Sequence, residues 1–160
     1  MSEHPRNWAL GFQDDWRIHK LVSGAVKLGA DFSGIGLVFC NRGNVVPHMR
    51  IYTDVADDRA LDPVSLILSR SHKDNDHHDG FHILDPDWSP ICLSAFLSPD
   101  LASHPLANPY NRGSRWLAAR LTSRSPKVLA CFTIGHAGKF PTLFIDGQVE
   151  HVWRDQAAKA

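Results

Sequence analysis

The sequence predicts a single α/β domain with a mixed central β-sheet of about seven strands flanked by helices. Three observations support this fold class. Short apolar runs typical of strands recur along the chain, amphipathic segments alternate with them, and no linker rich in proline or glycine divides the chain. With 160 residues the chain has single-domain length and can bury a core. We therefore expect one domain over 1–160, with its core at about 16–153 and loose ends at 1–12 and 155–160.

Three helices are predicted. Residues 16–28 place apolar side chains at helical spacing, and Gly29 follows as a stop. Asp62-Pro63 combines an N-cap with a first-turn proline and so begins the second helix. The third is expected from Ser114 to about Ser123, after a glycine that marks its N-terminus.

Seven strands are predicted between and after these helices. The first is apolar at consecutive positions, which is typical of a strand buried on both faces. The second follows the turn at 41–44 and is expected to pair with the first as a hairpin, with Pro47 placing it at a sheet edge. The predicted strands are Gly34–Cys40, Val45–Tyr52, Gly80–Leu84, Ile91–Leu97, Val128–Ile134, Thr142–Ile145 and Val149–Trp153.

Charge and composition exclude several classes of function. Lysine and arginine total 17 against 17 acidic residues, and the pI is near 7.2, so no basic face for nucleic acid or a membrane surface is expected. The apolar runs are shorter than the roughly 20 residues that cross a bilayer, and residues 1–10 show no secretory signal. Cys40, Cys92 and Cys131 are odd in number and lie in apolar runs. We expect buried, unbonded thiols and a cytoplasmic location.

The segment 71–82 holds four histidines and three aspartates, which are residue types that bind metals. Its spacing matches no defined zinc motif, and a solvated polar loop is the alternative for His72 and His77. His78-Asp79-Gly80 differs, because Gly80 lets the backbone approach a ligand where a strand begins. A metal-binding domain or metal-dependent hydrolase is one hypothesis for this loop, with the ligands His72, His77, His78, Asp79 and His82.

A second loop, Asn111 to Trp116, leads into the third helix. Helix N-termini offer free N–H groups and the positive end of the helix dipole, so they bind phosphates readily. Gly113, Ser114 and Arg115 together suit an anion. The alternative is an ordinary serine N-cap followed by a surface arginine.

Both loops, in this order and between these elements, resemble the diadenylate cyclase domain, which condenses two ATP molecules into cyclic di-AMP. That family has a His-Asp-Gly-Ala loop, a Phe/Tyr-Leu-Pro-Leu-Ser-like strand end, and Gly-Thr-Arg-His-Arg-Ala-Ala at a helix start. The matching stretches here are His78-Asp79-Gly80-Phe81, Cys92 to Ser98 and Gly113 to Ala119, and the resemblance spans roughly Trp16 to Val152. It implies nucleotide binding by His78, Asp79, Gly80, Phe81, Gly113, Ser114, Arg115 and Trp116.

The resemblance also implies that His78 and Asp79 hold Mg²⁺ or Mn²⁺ and that Asp79 serves an attacking hydroxyl if the domain is active. Four positions depart from the family. Trp116 and Leu117 stand in place of the histidine and the second arginine, and Phe81 replaces the alanine. Ile134-Gly135-His136 stands where the family has Ser-Glu-Glu. Lost charge at a phosphoryl-transfer site costs on the order of a hundredfold in rate.

The leading interpretation is therefore a non-catalytic, nucleotide-sensing relative in bacterial signalling or defence. Its ligand is a nucleotide or cyclic nucleotide, and an effector protein is the expected partner; the oligomeric state stays open. An active diadenylate cyclase, with His136 replacing the missing acid, is the second hypothesis. We further expect Asp79 and Arg115 to converge on one cleft and Phe81 and Trp116 to lie near it, with a core position as the alternative for Trp116.

Overall fold

The computed structural model describes Trp8 and residues 11–52, 62–99 and 112–153. Seven strands and three helices have both of their ends within these ranges. The helices are α1 (Trp16–Leu28), α2 (Pro63–Arg70) and α3 (Ser114–Thr122). The strands are β1 (Ile35–Cys40), β2 (His48–Arg50), β3 (Phe81–Leu84), β4 (Pro90–Leu97), β5 (Val128–Ile134), β6 (Thr142–Ile145) and β7 (Gln148–Val152). Two short 3₁₀ turns lie at Gly29–Asp31 and His136–Gly138.

All seven strands form one sheet in the order β2-β4-β3-β1-β5-β6-β7. Strands β1 and β3 are parallel, and the other neighbouring pairs are antiparallel. The predicted mixed α/β fold is thus confirmed. One pairing prediction is wrong: β2 does lie at an edge, but it pairs with β4 and not with β1. The turn after β1 does not determine the partner, because β4 offers a free edge to the returning chain.

Helices cover both faces of the sheet, and the alternation of side chains along β1 shows how. Ile35, Leu37 and Phe39 belong to a core with apolar residues of α1 and α2. Val38 and Cys40 point to the opposite face and join a second core with Trp116 and other residues of α3. Successive strand residues face opposite sides, so a strand between two helical layers must be apolar throughout.

Local sequence signals explain where the helices begin and end. The Asp15 side chain accepts a hydrogen bond from the Arg17 N–H at the start of α1, and Asp62 accepts one from the Ser65 N–H at the start of α2. Gly29 ends α1 with a φ of 54°, a conformation that glycine adopts without steric cost. The predicted Asp62 N-cap and Gly29 stop are therefore the ones used, and Asp15 is an N-cap that the sequence analysis did not select.

The N-terminal boundary of the core needs correction. Phe12 was expected in a loose end, but it is 2% exposed and belongs to the core beside α1 and α2. Its ring lies 5.1 Å from that of Phe39, and the Trp8 ring lies 5.3 Å from Phe39. Burial of a large aromatic side chain contributes more free energy than is lost when a short chain segment becomes ordered. The other residues of 1–10 and residues 154–160 lie outside the described part of the chain.

The three cysteines are buried and unbonded, as predicted. Burial raises the pKa of the Cys40, Cys92 and Cys131 thiols. Within the described ranges, no helix has the length and apolar character needed to cross a membrane.

Candidate functional site

A cavity of about 660 Å³ lies at one end of the four central strands, beside the N-terminus of α3. Strands β1 and β3 begin at this end of the sheet, whereas β4 and β5 finish there. Residues of β3, β4 and β5 contribute to the wall, together with Ser33 just before β1, the start of α3 and the loop after β5. They are Ser33, Gly80, Phe81, Ala95, Phe96, Leu97, Arg112, Gly113, Ser114, Arg115, Trp116, Ala118, Thr133, Ile134, Gly135, His136 and Phe140. The size suits a small-molecule ligand.

The N-terminus of α3 supplies the polar part of this wall. Gly113 is the N-cap in an extended conformation, and Ser114 is exposed beside it. The Arg115 side chain is half-buried and donates a long, 3.4 Å hydrogen bond to the Ser33 carbonyl. It crosses Gly34, whose φ is 103° and where a Cβ would overlap the guanidinium. The α3 start and the segment before β1 thus fix Arg115 together.

Asp79 and Arg115 lie close enough for their charges to interact. Burial lowers the pKa of Arg115, and the Asp79 carboxylate acts in the opposite direction. Asp79 itself is exposed, and its Oδ1 lies 3.5 Å from the His78 Nε2. Neither His78 nor Asp79 is part of the cavity wall, whereas Gly80 and Phe81 are. This loop therefore meets the cavity through Gly80 and Phe81 and not through its carboxylate.

Tyr52 is a component of this region that the sequence analysis missed. Burial raises the pKa of its hydroxyl, as does Asp79, which interacts with it by charge and by a side-chain hydrogen bond. The Tyr52 ring also meets the His77 ring edge-on at 4.4 Å between centroids. Tyr52 thereby ties the end of the β2 segment to the His-Asp-Gly loop. Nothing in its local sequence marks this role.

His82 is a core histidine, not a metal ligand. Its Nδ1 accepts a 3.0 Å hydrogen bond from the Ser94 N–H, so the neutral ring carries its proton on Nε2. Burial lowers the pKa of His82 to about 3, and the positive charges of Arg70 and Arg115 act in the same direction. Ser94 has a φ of 55° where the register between β3 and β4 is irregular. His82 thus supports a β-bulge beside the cavity.

The structure does not bring the predicted metal ligands together. Across the described ranges, no group of three or more histidine, cysteine, aspartate or glutamate side chains is placed to hold a metal ion. His72 accepts a hydrogen bond from the Asp74 N–H, and His78 Nδ1 lies 2.7 Å from the Asn75 carbonyl. Within this part of the chain, the histidines therefore do not form the metal site that the hypothesis of a metal-dependent hydrolase requires.

The expected Mg²⁺ or Mn²⁺ ion also finds a poor set of ligands. Mg²⁺ is usually bound through one or two carboxylates with substrate phosphates. The described residues of the cavity wall include no carboxylate, and Asp79 is engaged by Tyr52 and by the charge of Arg115. These residues do not fit a metal centre.

Two predicted aromatic residues line the cavity but are mostly buried. Phe81 is 7% exposed, and its ring lies over Gly36, where a Cβ would overlap it. Trp116 is 8% exposed and meets the Phe144 ring edge-on at 5.1 Å. Both belong to the core on the α3 side of the sheet. Trp116 therefore has the alternative role that we considered, a core side chain at the edge of the cavity.

The exposed aromatic rings of the wall are two that the sequence analysis did not select. Phe96 on β4 is 58% exposed, and Phe140 in the loop after β5 is 50% exposed. The Arg112 guanidinium carbon lies 3.7 Å from the centre of the Phe140 ring. Phe96 carried a signal, since it falls in the Phe/Tyr-Leu-Pro-Leu-Ser-like run. The pairing of Arg112 with Phe140 has no sequence signal because it depends on tertiary structure.

Comparison with known proteins gives similarity in structure only. No family model matches the chain, and no curated protein matches its sequence. The structure is similar to DacA from Staphylococcus aureus, a double mutant, with a TM-score of 0.58 and 12% identity over 92% of each chain. It is also similar to a hypothetical membrane-spanning protein from Bacillus cereus, with a TM-score of 0.54 and 15% identity over 84% of this chain and 63% of that one.

Proposed function

We propose that this chain, which has the fold of the diadenylate cyclase DacA, is a non-catalytic nucleotide sensor in bacterial signalling or defence. It acts in the cytoplasm and passes its ligand state to an effector protein. One observation carries the proposal: a single cavity combines the Arg115 guanidinium at a helix N-terminus with the exposed Phe96 ring. Phosphate and base are the two groups that such a wall suits.

Arg115 and the start of α3 support the phosphate end of this proposal. Gly113 and Ser114 are exposed at the helix N-terminus, where backbone N–H groups and the helix dipole favour an anion. Arg115 is held in place by Ser33 and by its passage over Gly34. A guanidinium that is already ordered loses little entropy when a phosphate binds, and its charged hydrogen bonds are among the strong ones.

Phe96 supports the base end. Its exposed ring stands on β4 between Ala95 and Leu97, which also line the cavity. Stacking of a base on an aromatic ring contributes about 1–3 kcal/mol in single-strand binders. Phe81 and Trp116 lend apolar surface to the same wall while remaining in the core.

We propose that catalysis is absent because other residues occupy the positions where the family has its catalytic groups. Trp116 is turned into the core against Phe144, so it offers the site a hydrophobic ring where the family has a histidine. The described wall residues provide no carboxylate for a metal. Phosphoryl transfer depends on groups that stabilise the developing charge, and their loss affects rate far more than binding.

Residual cyclase activity is the second candidate function. His136 lines the cavity, and Asp79 interacts with Arg115, so a base and an acid do stand near the proposed phosphate position. Incubation of the protein with ATP and Mn²⁺, followed by chromatography for a cyclic dinucleotide, separates the two. Robust product would overturn the sensor proposal.

A thermal-shift screen with ATP, ADP, AMP and cyclic di-AMP, each with and without Mg²⁺, tests binding. A ligand at 100 times its dissociation constant stabilises the fold by about 2.7 kcal/mol, which such a screen detects. We expect Arg115→Ala to abolish the shift and Arg50→Ala to preserve it, because Arg50 is exposed on β2 and does not line the cavity. No shift with any of these nucleotides would refute the proposed function.

A further inference from the structure

A second cavity, of about 510 Å³, lies on the α3 side of the sheet. Its wall combines the segment before β2, the end of β4, the last turn of α3 and the turn that leads into β5. Among the described residues, Leu97 alone lines both this cavity and the first one. The volume falls within the range of small-molecule sites, so the second cavity is large enough to hold a ligand of its own.

Apolar groups make up much of this wall, and they are conformationally restricted. Val46, Leu97 and Leu121 are buried side chains that present aliphatic surface. Three prolines add further apolar surface, and each fixes its own backbone φ. They are Pro47, Pro99 and Pro126. A wall that is already ordered loses little conformational entropy when a ligand binds, and its surface favours a ligand with an apolar body.

Thr122, the last residue of α3, carries an unpartnered polar group in this wall. It is 4% exposed, and none of the described residues forms a hydrogen bond with its enclosed hydroxyl oxygen. An enclosed hydroxyl without a partner is costly and rare in native proteins. Threonine in a helix divides between two χ1 rotamers, so a rotation about the Cα–Cβ bond turns the hydroxyl towards the cavity. A ligand that places an acceptor there supplies the missing partner.

The charges around the second cavity favour an anionic acceptor. Lys127 is exposed and lines the cavity, as does Arg124, and the described residues of this wall include no carboxylate. The carbonyl groups of residues 119–122 at the end of α3 each accept a hydrogen bond from the chain itself, so they need no donor from a ligand. A helix C-terminus carries about half a negative charge, which is less than the full positive charge of Lys127. A carboxylate is therefore favoured over an ammonium group in this cavity.

We propose that the second cavity is a ligand site that binds a small carboxylate with an apolar body. The Thr122 hydroxyl donates to the carboxylate, and Lys127 provides the positive charge beside it. The apolar body lies against Val46, Leu97 and Leu121. This site does not depend on the nucleotide function proposed for the first cavity and adds a second ligand class to it.

Titration of the full chain with octanoate, followed by the NMR signals of the backbone amides, tests this site. We expect a dissociation constant of about 1 mM or lower, with shift changes at the amides of Val46, Leu121 and Thr122. Octylamine has the same apolar chain but carries a positive group. It should bind about tenfold more weakly or worse, because the charge of Lys127 repels it.

Substitutions at Thr122 test the role of the hydroxyl. Thr122→Val keeps the branched shape but removes the hydroxyl, so octanoate should bind about tenfold more weakly or worse. Without ligand, the same variant should unfold at an equal or higher urea concentration, because it no longer encloses an unpartnered hydroxyl. Thr122→Ser retains the hydroxyl and should keep the octanoate affinity within about threefold. A role of Thr122 in packing alone would not produce this difference in affinity between Thr122→Val and Thr122→Ser.

A substitution at Lys127 tests the role of the charge. Lys127→Gln should weaken octanoate binding by about threefold or more and reduce the preference for octanoate over octylamine. Lys27→Gln is the matched control, because Lys27 is exposed on α1 and lines neither cavity. It should change neither affinity.

Four results would overturn the proposal. They are the absence of octanoate binding at about 10 mM, equal affinities for octanoate and octylamine, full octanoate affinity in Thr122→Val, and shift changes confined to amides of the first cavity, such as those of Gly113 and Arg115. The nucleotide function of the first cavity would stand or fall separately, because the thermal-shift screen tests it with other ligands.

Discussion

The contact between Phe81 and Gly36 determines how the protein tolerates a smaller residue at position 81, where the diadenylate cyclase family has alanine. Phe81 at the start of β3 extends over Gly36 in the parallel neighbour β1, where an added Cβ would overlap the ring. The large side chain and the glycine thus compensate for each other across the two strands. We expect the paired substitutions Phe81→Ala and Gly36→Ala to be strongly non-additive.

The magnitudes follow from packing. Phe81→Ala removes a ring that is 7% exposed and should lower the free energy of unfolding by about 3 kcal/mol, the lower end of the range because one side of the ring faces the cavity. Gly36→Ala alone forces the ring aside and should cost about 1–2 kcal/mol. With Phe81→Ala already present, the same substitution should stabilise by about 0.5–1 kcal/mol, because alanine suits a strand better than glycine. The coupling is therefore about 1.5–3 kcal/mol.

Urea unfolding at 25 °C of the four proteins in this cycle measures the coupling. Gly43→Ala is the matched control, since a Cβ at that position would meet no described atom within 4 Å. Its effect should be the same, within about 0.5 kcal/mol, with and without Phe81→Ala. Additivity of Gly36→Ala and Phe81→Ala within that margin would show that the ring does not depend on the glycine, and the packing argument would be wrong.

Three further predictions concern buried groups. Because burial lowers the pKa of His82 from 6.5 to about 3, the unfolded chain binds more protons between those values, and the free energy of unfolding should fall as the pH drops from 6.5 towards 3. His82→Asn, whose Oδ1 can accept from the Ser94 N–H, should show a weaker fall in acid unfolding curves; equal curves would contradict this. Gly80→Ala should cost about 1–3 kcal/mol in urea unfolding, because φ is 87° and the Cβ would lie 2.9 Å from the Ala95 carbonyl oxygen; an unchanged midpoint would be evidence against that. The three buried thiols should react with a thiol reagent at pH 8 only after unfolding, and rapid reaction of the native protein would show that their burial is incomplete.

Helix boundaries were predictable because their signals are local. The bounds of α1 agree with the prediction at both ends, since apolar spacing, Asp15 and Gly29 all lie within or next to the helix. The partner of β2 was not predictable in the same way. A turn and a proline specify an edge, but which edge is free depends on strands that come later in the chain.

The residues of the candidate site likewise fall into two groups, those that a local sequence signal marks and those that only the tertiary structure brings together. Of the residues selected from short motifs, six line one cavity, namely Gly80, Phe81, Gly113, Ser114, Arg115 and Trp116, whereas His78 and Asp79 do not. Tyr52, Arg112 and Phe140 were missed, because their roles arise from contacts between distant segments that no periodicity encodes. Arg115→Ala should also lower the free energy of unfolding measurably, because Arg115 is half-buried and bonded to a carbonyl.

The central position of β1 has a consequence for the order of folding. Leu37 pairs with His82 on one side and with Phe132 on the other, so neither partner is near it along the chain. The β5-β6-β7 meander can close through short turns, whereas β1 must wait for two long loops to be ordered. Domains dominated by such distant pairings fold slowly, in milliseconds to seconds. During synthesis, β1 leaves the ribosome as an apolar segment before its β5 partner has been made. Apolar strands that lack their partners are prone to aggregate, so this interval is the one in which the chain is most exposed to that risk.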